Sequence, residues 1–204
     1  MKKYIAVGKQ TMKQICVFCG SSEGAYPIYK QTAVALGQLL AQSDISLVYG
    51  GATVGTMGAI ADAVMETGGE VYGVIPRGLF GREVPHHNIT QLEIVDSMHE
   101  RKARMAELAD GFIALPGGIG TFEELFEILT WAQLGIHQKP IGLLNVEGFY
   151  DKLLEFLDDA VGSGFVKSKH RQLLVVKNDP AALLEALRSF RPPLVSKWMG
   201  EEEI

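Results

Sequence analysis

The chain has 204 residues, enough for one domain with a substantial buried core. Hydrophobic residues make up 47% and charged residues 21%, the proportions of an ordinary soluble globular protein. The net charge is −5 with Lys and Arg scattered, which excludes a polyanion footprint: no nucleic-acid or membrane partner is expected, and a small anion in a local pocket remains open.

No apolar run approaches the roughly 20 residues of a membrane span. The opening MKKYIAVGKQTMK lacks the apolar core of a secretory signal. Patterned sequence starts at Ile15, so residues 1–14 read as an N-terminal extension, 15–190 as a single α/β domain and 191–204 as a C-terminal tail.

In chain order, a first strand is expected at Ile15–Cys19, followed by a helix at Ile28–Gln42. Its Cys16 and Cys19 form a CxxC, but no second pair completes a zinc site and no helix opens there as redox pairs require. They read as core thiols of a protein in a reducing cytoplasm. A strand at Ile45–Tyr49, a helix at Thr56–Thr67 and a strand at Glu70–Ile75 come next. A long connection, Pro76–Thr90, has little periodicity, and loops of that length are often functional. Then follow a strand at Leu92–Val95, a helix at Met98–Ala109 and a strand at Gly111–Leu115. The last elements are a helix at Phe122–Leu134, a strand at Pro140–Asn145, a helix at Phe149–Val161, a strand at Leu173–Val176 and a helix at Ala181–Ser189. This alternation predicts a doubly wound, Rossmann-like α/β fold: a parallel sheet of about seven strands with helices on both faces.

Ligands of such sheets bind beyond the carboxyl ends of the strands. That rim would carry CGSSEG (19–24), YGGATVGTMG (49–58), the long connection and LPGGIGT (115–121). The sequence contains neither the P-loop GxxxxGK[ST] nor a GxGxxG after the first strand, which disfavours Walker-type ATP chemistry and hydride transfer. The segment Gly117–Thr121 leads directly into a helix, whose free N–H groups and dipole suit a phosphate. Thr121-Phe122-Glu123-Glu124 also has the form of a capping box, and a simple helix cap fits the motif equally well. The upstream helix should start near Met98, since Ser97 and Glu100 form a second capping-box pattern. On it Met98, Met105 and Leu108 define an apolar arc that includes Arg101, with Lys102 on its border. An arginine there calls for an anionic partner, although snorkelling or a structural ion pair would also satisfy it.

SMHERKARM followed by LPGGIGTFEE, together with CVFCGSS, VYGGATVGTMG, HHNIT, TWAQLGIHQKPIGLLN and FYDKLL, resembles the LOG family of cytokinin riboside 5'-monophosphate phosphoribohydrolases. The family hallmark PGGxGTxxE corresponds to Pro116–Glu124, and the resemblance runs from about Ile15 to Phe165. It implies hydrolysis of the N-glycosidic bond of adenosine 5'-monophosphate or an N6-substituted form, with no cofactor or metal, by a homodimer. Arg101 and Glu124 match the family's essential pair. Glu83, Lys102, Gly117, Gly118, Ile119, Gly120, Thr121 and Thr130 match positions that contact the nucleotide. The family was long mislabelled as lysine decarboxylase.

On this reading Glu124 would sit by the positive charge developing on the ribose or orient the attacking water, and Gly117–Thr121 would hold the 5'-phosphate. Arg101 could pair with phosphate, hold Glu124 or assist the leaving base. Rival functions are a nucleotide sensor without turnover and, less favoured, a pyridoxal-phosphate decarboxylase, which would need a Schiff-base lysine that no motif marks. His86 and His87 would point in opposite directions, and no metal-ligand spacing occurs; His99, His137 and His170 read as surface or structural. The helix Phe122–Leu134 is apolar nearly all round, which places it in the core or near a subunit interface.

Overall fold

In the computed structural model, residues 12–79 and 84–193 are described; residues 1–11, 80–83 and 194–204, Glu83 among them, lie outside the described residues. Seven strands form one sheet in the order β4-β3-β2-β1-β5-β6-β7, and all pairings are parallel. The strands are β1 (Gln14–Phe18), β2 (Ser46–Tyr49), β3 (Val71–Pro76), β4 (Gln91–Val95), β5 (Gly111–Ala114), β6 (Ile141–Leu144) and β7 (Leu174–Lys177). Each lies within two residues of its sequence expectation, because short β-branched runs bounded by glycine and polar residues leave little choice.

The helices are α1 (Pro27–Gln42), α2 (Gly55–Glu66), α3 (Met98–Leu108), α4 (Ile119–Leu134), α5 (Asp151–Gly162), α6 (Ser168–Arg171) and α7 (Pro180–Arg188). Strand alternation divides the core between the two sheet faces. Ile15, Val17 and Cys19 of β1 and its exit join Leu47 and Tyr49 of β2 and face α1, α2 and α7. Cys16 and Phe18 face the other way, into the layer with Met105 of α3 and Leu125 and Ile128 of α4. The two thiols are therefore buried on opposite faces and both are free. Among the described residues no helix is long and apolar enough to cross a membrane.

Two departures from the sequence expectation have plain causes. The four-residue α6 carries no sequence signal, since one turn is too short to show a helical period. Helix α4 begins at Ile119, three residues before the expected Phe122, with Gly118 as its N-cap and no side-chain cap. Thr121 is thus inside the first turn, and the anticipated Thr121–Glu124 capping box does not form. By contrast, the Ser97–Glu100 box of α3 does: Ser97 Oγ accepts from the Glu100 N–H at 3.1 Å, and Glu100 Oε2 accepts from the Asp96 N–H at 2.8 Å.

Beyond α4, the His137 ring is fixed as a neutral tautomer. Nδ1 accepts from the Lys139 N–H, so Nε2 carries the proton donated to the Ile128 carbonyl. Burial is the largest cause lowering its pKa to about 4; the Ile128 contact works against the shift and nearby Lys139 adds to it. Between the usual value of 6.5 and about 4 the unfolded chain binds a proton that the folded one does not. Stability should therefore fall as pH drops through that window. Urea unfolding across it should show a shallower pH slope for His137→Gln than for the wild type.

Candidate active site

The winding reverses between β1 and β5: β1 leads outward to β2, β3 and β4 on one side, whereas β5 leads to β6 and β7 on the other. The loops leaving these neighbours diverge to opposite faces, and a crevice opens at their carboxyl ends. A cleft of about 190 Å3 occupies this place. It is lined by Cys19, Gly20 and Ser21 after β1, Gly50 after β2, Met57 of α2, Arg101 and Met105 of α3, and Gly118, Ile119, Gly120, Thr121 and Glu124 after β5.

The loops around the cleft pack backbone against backbone. Gly55, at φ +61°, abuts the main chain of Ser21 and Ser22 so closely that a Cβ would overlap it. Thr56 is 2% exposed and pins the first loop, its Oγ1 accepting from the Gly20 N–H and donating to the Gly20 carbonyl, both at 3.0 Å. The third loop is anchored from behind, where the Tyr150 hydroxyl donates to the Leu115 carbonyl at 2.6 Å. The later part of the long connection is tied to the second loop: the Thr53 N–H donates to the Val84 carbonyl and the His86 N–H to the Gly51 carbonyl, each at 2.9 Å. His86 itself is buried and meets Asp62 Oδ1 through Nε2 at 3.0 Å, a structural role. Among the described residues no group of three His, Cys, Asp or Glu side chains could hold a metal ion.

Arg101 is 5% exposed, as its place in the apolar arc predicts. Its Nε donates to the Val74 carbonyl of β3 and its Nη2 to the Gly50 carbonyl, both at 3.2 Å, while Nη1 lies 3.8 Å from the Met98 sulfur. Among the described residues it forms no ion pair with a carboxylate, so backbone oxygens orient the fork and leave donors for an occupant of the cleft. Glu124 is 8% exposed on the opposite wall. Both charges are felt by the thiols below: burial, then Glu124, raises Cys19 to about 12, with Thr56 and Arg101 opposing. Cys16 is raised as well, by burial first and Glu124 second. Neither thiol is a nucleophile at neutral pH.

At the cleft mouth the first turn of α4 is open. The first bond in that turn runs from the Phe122 N–H to the Gly118 carbonyl, so the N–H groups of Ile119, Gly120 and Thr121 have no acceptor within the helix. Gly117 is crowded, since a Cβ there would overlap the Thr121 side chain, whereas a Cβ on Gly118 or Gly120 would meet no other segment of the described residues within 4 Å. Gly118 has an ordinary φ of −96°. Among the described residues, neither crowding nor backbone conformation demands glycine at 118.

Two expected contact residues point away from this cleft. Lys102 is 7% exposed but turns to Glu123 and Glu127 of α4. Thr130 donates to the Phe126 carbonyl at 2.7 Å and lines a separate groove with Leu157 of α5 and His170 of α6. Neither displacement is visible in a linear motif, because helical facing decides it. Gly50, Met57 and Met105 line the cleft without a sequence signal of their own; the tyrosine-glycine-glycine run at 49–51 marks the loop but not which atoms face the cleft.

A family model described as "Possible lysine decarboxylase" matches residues 57–187. A cytokinin riboside 5'-monophosphate phosphoribohydrolase of Arabidopsis thaliana is 50% identical over 197 residues, covering 95% of this chain and 91% of that protein. A probable cytokinin riboside 5'-monophosphate phosphoribohydrolase of Oryza sativa subsp. japonica is 47% identical over 200 residues, covering 97% of this chain and 82% of the relative. The chain belongs to the LOG family. Among solved structures, the molybdenum cofactor binding protein of Rippkaea orientalis superposes with a TM-score of 0.65 at 23% identity, covering 88% of this chain and 97% of that one. The molybdenum cofactor carrier protein of Chlamydomonas reinhardtii gives 0.65 at 20% identity, covering 88% and 98%. These likenesses concern the fold alone, and the LOG chain shares with them its Rossmann-like architecture.

Gly50 has to be glycine for Arg101 to sit where it does, because a Cβ there would overlap Nη2 of the guanidinium. Gly50→Ala should cost about 1–3 kcal/mol of stability, as overpacking at a buried contact does. Chemical denaturation of the variant against wild type measures this.

Proposed function

We propose that the chain is a phosphoribohydrolase, cleaving the N-glycosidic bond of adenosine 5'-monophosphate or an N6-substituted form to free base and ribose 5-phosphate. The observation that carries this reading is one small cleft walled by a buried carboxylate, Glu124, and a buried guanidinium, Arg101, with the uncapped start of α4 at its mouth. The identity of about half with relatives named for this reaction supports it.

The 5'-phosphate is received by the N–H groups of Ile119, Gly120 and Thr121 and by the dipole of α4, with Gly118 leaving room for its oxygens. This remote contact positions the ribose beside Glu124. As the bond from the anomeric carbon to the base nitrogen breaks, its electron pair leaves with the base and positive charge develops on the sugar. Glu124 stabilises that charge and accepts a proton from the water that attacks the anomeric carbon; the departing base takes a proton from solvent and Glu124 returns its own to solvent, which closes the cycle. Arg101 adds a fixed positive charge to the same cleft, against the phosphate or Glu124. A decarboxylase would need a lysine amine at the reacting centre. Among the described residues no lysine lines this cleft.

We further propose a homodimer in a reducing cytoplasm. Helix α5 has no fully buried residue, and Phe156 and Phe165 are 66% and 90% exposed. Near them Phe126 and Leu129 of α4 are only partly covered in a groove with Leu157 and Val166, a face suited to a second copy.

Incubation with AMP should release adenine, measured by chromatography, and Glu124→Gln should reduce the rate at least about 100-fold. Equal cleavage of free adenosine would refute the phosphate cradle. Gly118→Ala should keep wild-type thermal stability yet raise KM for AMP about ten-fold, since its methyl group meets only the ligand. Comparison of AMP with N6-isopentenyl-AMP identifies the preferred base. Light scattering at micromolar concentration should give twice the chain mass; a monomer there would overturn the dimer.

A further inference from the structure

The backbone oxygens of Val74 and Gly50 hold Nε and Nη2 of Arg101 and leave Nη1 without an oxygen acceptor among the described residues. The neighbour of Nη1 is the thioether of Met98, 3.8 Å away. Met98 and Arg101 stand three apart on α3, a spacing that brings side chains together on one helix face. The Ser97–Glu100 capping box fixes the turn they share. A thioether sulfur is a weak acceptor, so Nη1 keeps its donors for an occupant of the cleft.

Met98 differs from the other methionines of the described residues. Met12, Met57 and Met105 are buried. Met65 is half-buried, and its sulfur accepts from the Thr90 hydroxyl. Met98 is 41% exposed, so a dissolved oxidant meets its side chain first. The two thiols do not compete for it. Peroxides attack the thiolate, and burial, followed by Glu124, keeps both Cys16 and Cys19 protonated.

Oxidation changes what this sulfur does. Hydrogen peroxide transfers one oxygen atom to the thioether: the O–O bond breaks, a sulfur–oxygen bond forms, sulfur loses two electrons and water leaves. The apolar side chain becomes polar, and its new oxygen is a strong acceptor. With sulfur and Nη1 already 3.8 Å apart, an oxygen on the facing side of the sulfur comes within hydrogen-bond reach of the guanidinium.

Resting on the phosphoribohydrolase reading, we propose that Met98 is a reversible modification site: its oxidation to the sulfoxide by hydrogen peroxide captures Nη1 of Arg101 and lowers turnover. Methionine sulfoxide reductases reverse the step, releasing the oxygen as water while two thiols are oxidised to a disulfide.

The test treats the purified chain with hydrogen peroxide and reads the oxidation of each methionine from peptide masses. In parallel, kcat and KM for adenine release from AMP and the melting temperature are measured for wild type, Met98→Leu and Met98→Gln. Met98 should gain one oxygen about ten-fold faster than Met57, Met65 or Met105. As it does, kcat should fall about five-fold or more, with the melting temperature unchanged. The two reductases, one for each sulfoxide epimer, should together restore the rate. Met98→Leu keeps the apolar arc without the sulfur, and should hold its rate through the treatment. Met98→Gln places an amide oxygen where the sulfoxide oxygen would stand, and should be slow before any oxidant is added. Full oxidation of Met98 with wild-type kcat would overturn the proposal. Loss of activity in Met98→Leu as fast as in wild type, or earlier oxidation of another methionine, would overturn it too. Should Met98→Leu fail to fold, wild type decides alone: a loss that the reductases do not reverse sinks the idea. If the untreated chain releases no base from AMP, the hydrolase reading fails and the effect on turnover with it; the peptide masses, which need no turnover, still judge the oxidation site.

Discussion

A buried guanidinium held by backbone carbonyl oxygens is the interaction on which the cleft depends. Removing an arginine from water costs several kcal/mol unless its donors are satisfied, and the Val74 and Gly50 carbonyls satisfy two of the five donors of Arg101. Those oxygens are available because β2 and β3 end side by side, and the guanidinium can reach them only because residue 50 has no side chain. The parallel sheet thus prepares a fixed positive charge at its carboxyl edge before any ligand arrives. Among the described residues no carboxylate pairs with that charge; carbonyl dipoles orient it.

The opposite wall follows from where α4 begins. Starting at Ile119, the helix turns the Thr121 side chain toward Gly117 and leaves three N–H groups without an acceptor in the helix. Glu124 then falls in the second turn, on the buried side, facing the cleft where Arg101 stands. Had Thr121 been the N-cap, Glu124 would have folded back onto the helix start as half of a capping box. The three-residue difference replaces a side-chain cap with an open first turn and a buried carboxylate behind it.

Strand alternation, seven strands and helices on both faces were legible because each rests on short-range periodicity that the sequence carries in full. The burial of Arg101 was legible for the same reason, from its place between Met98 and Met105 on a 3.6-residue period. Its partners were not: Val74 and Gly50 are 27 and 51 residues away, and no local pattern announces a carbonyl acceptor. Lys102 and Thr130 show the converse limit. A motif match carries a residue's name and number, while the helix face it occupies is decided by what packs against it: Glu123 and Glu127 for one, the groove beside α5 and α6 for the other. Tyr150 and Thr56, which brace two of the loops, carry no signal as single polar residues in apolar surroundings.

By itself the sequence determined the element order, the parallel doubly wound class, the glycine-rich rim and the family, all properties of local pattern or of motif. Only the tertiary structure decided where α4 starts, which atoms hold Arg101, and that Lys102 faces a neighbouring helix instead of the cleft. Those outcomes turn on contacts between segments distant in the chain, where a competition among backbone acceptors, burial and charge is settled by three-dimensional proximity.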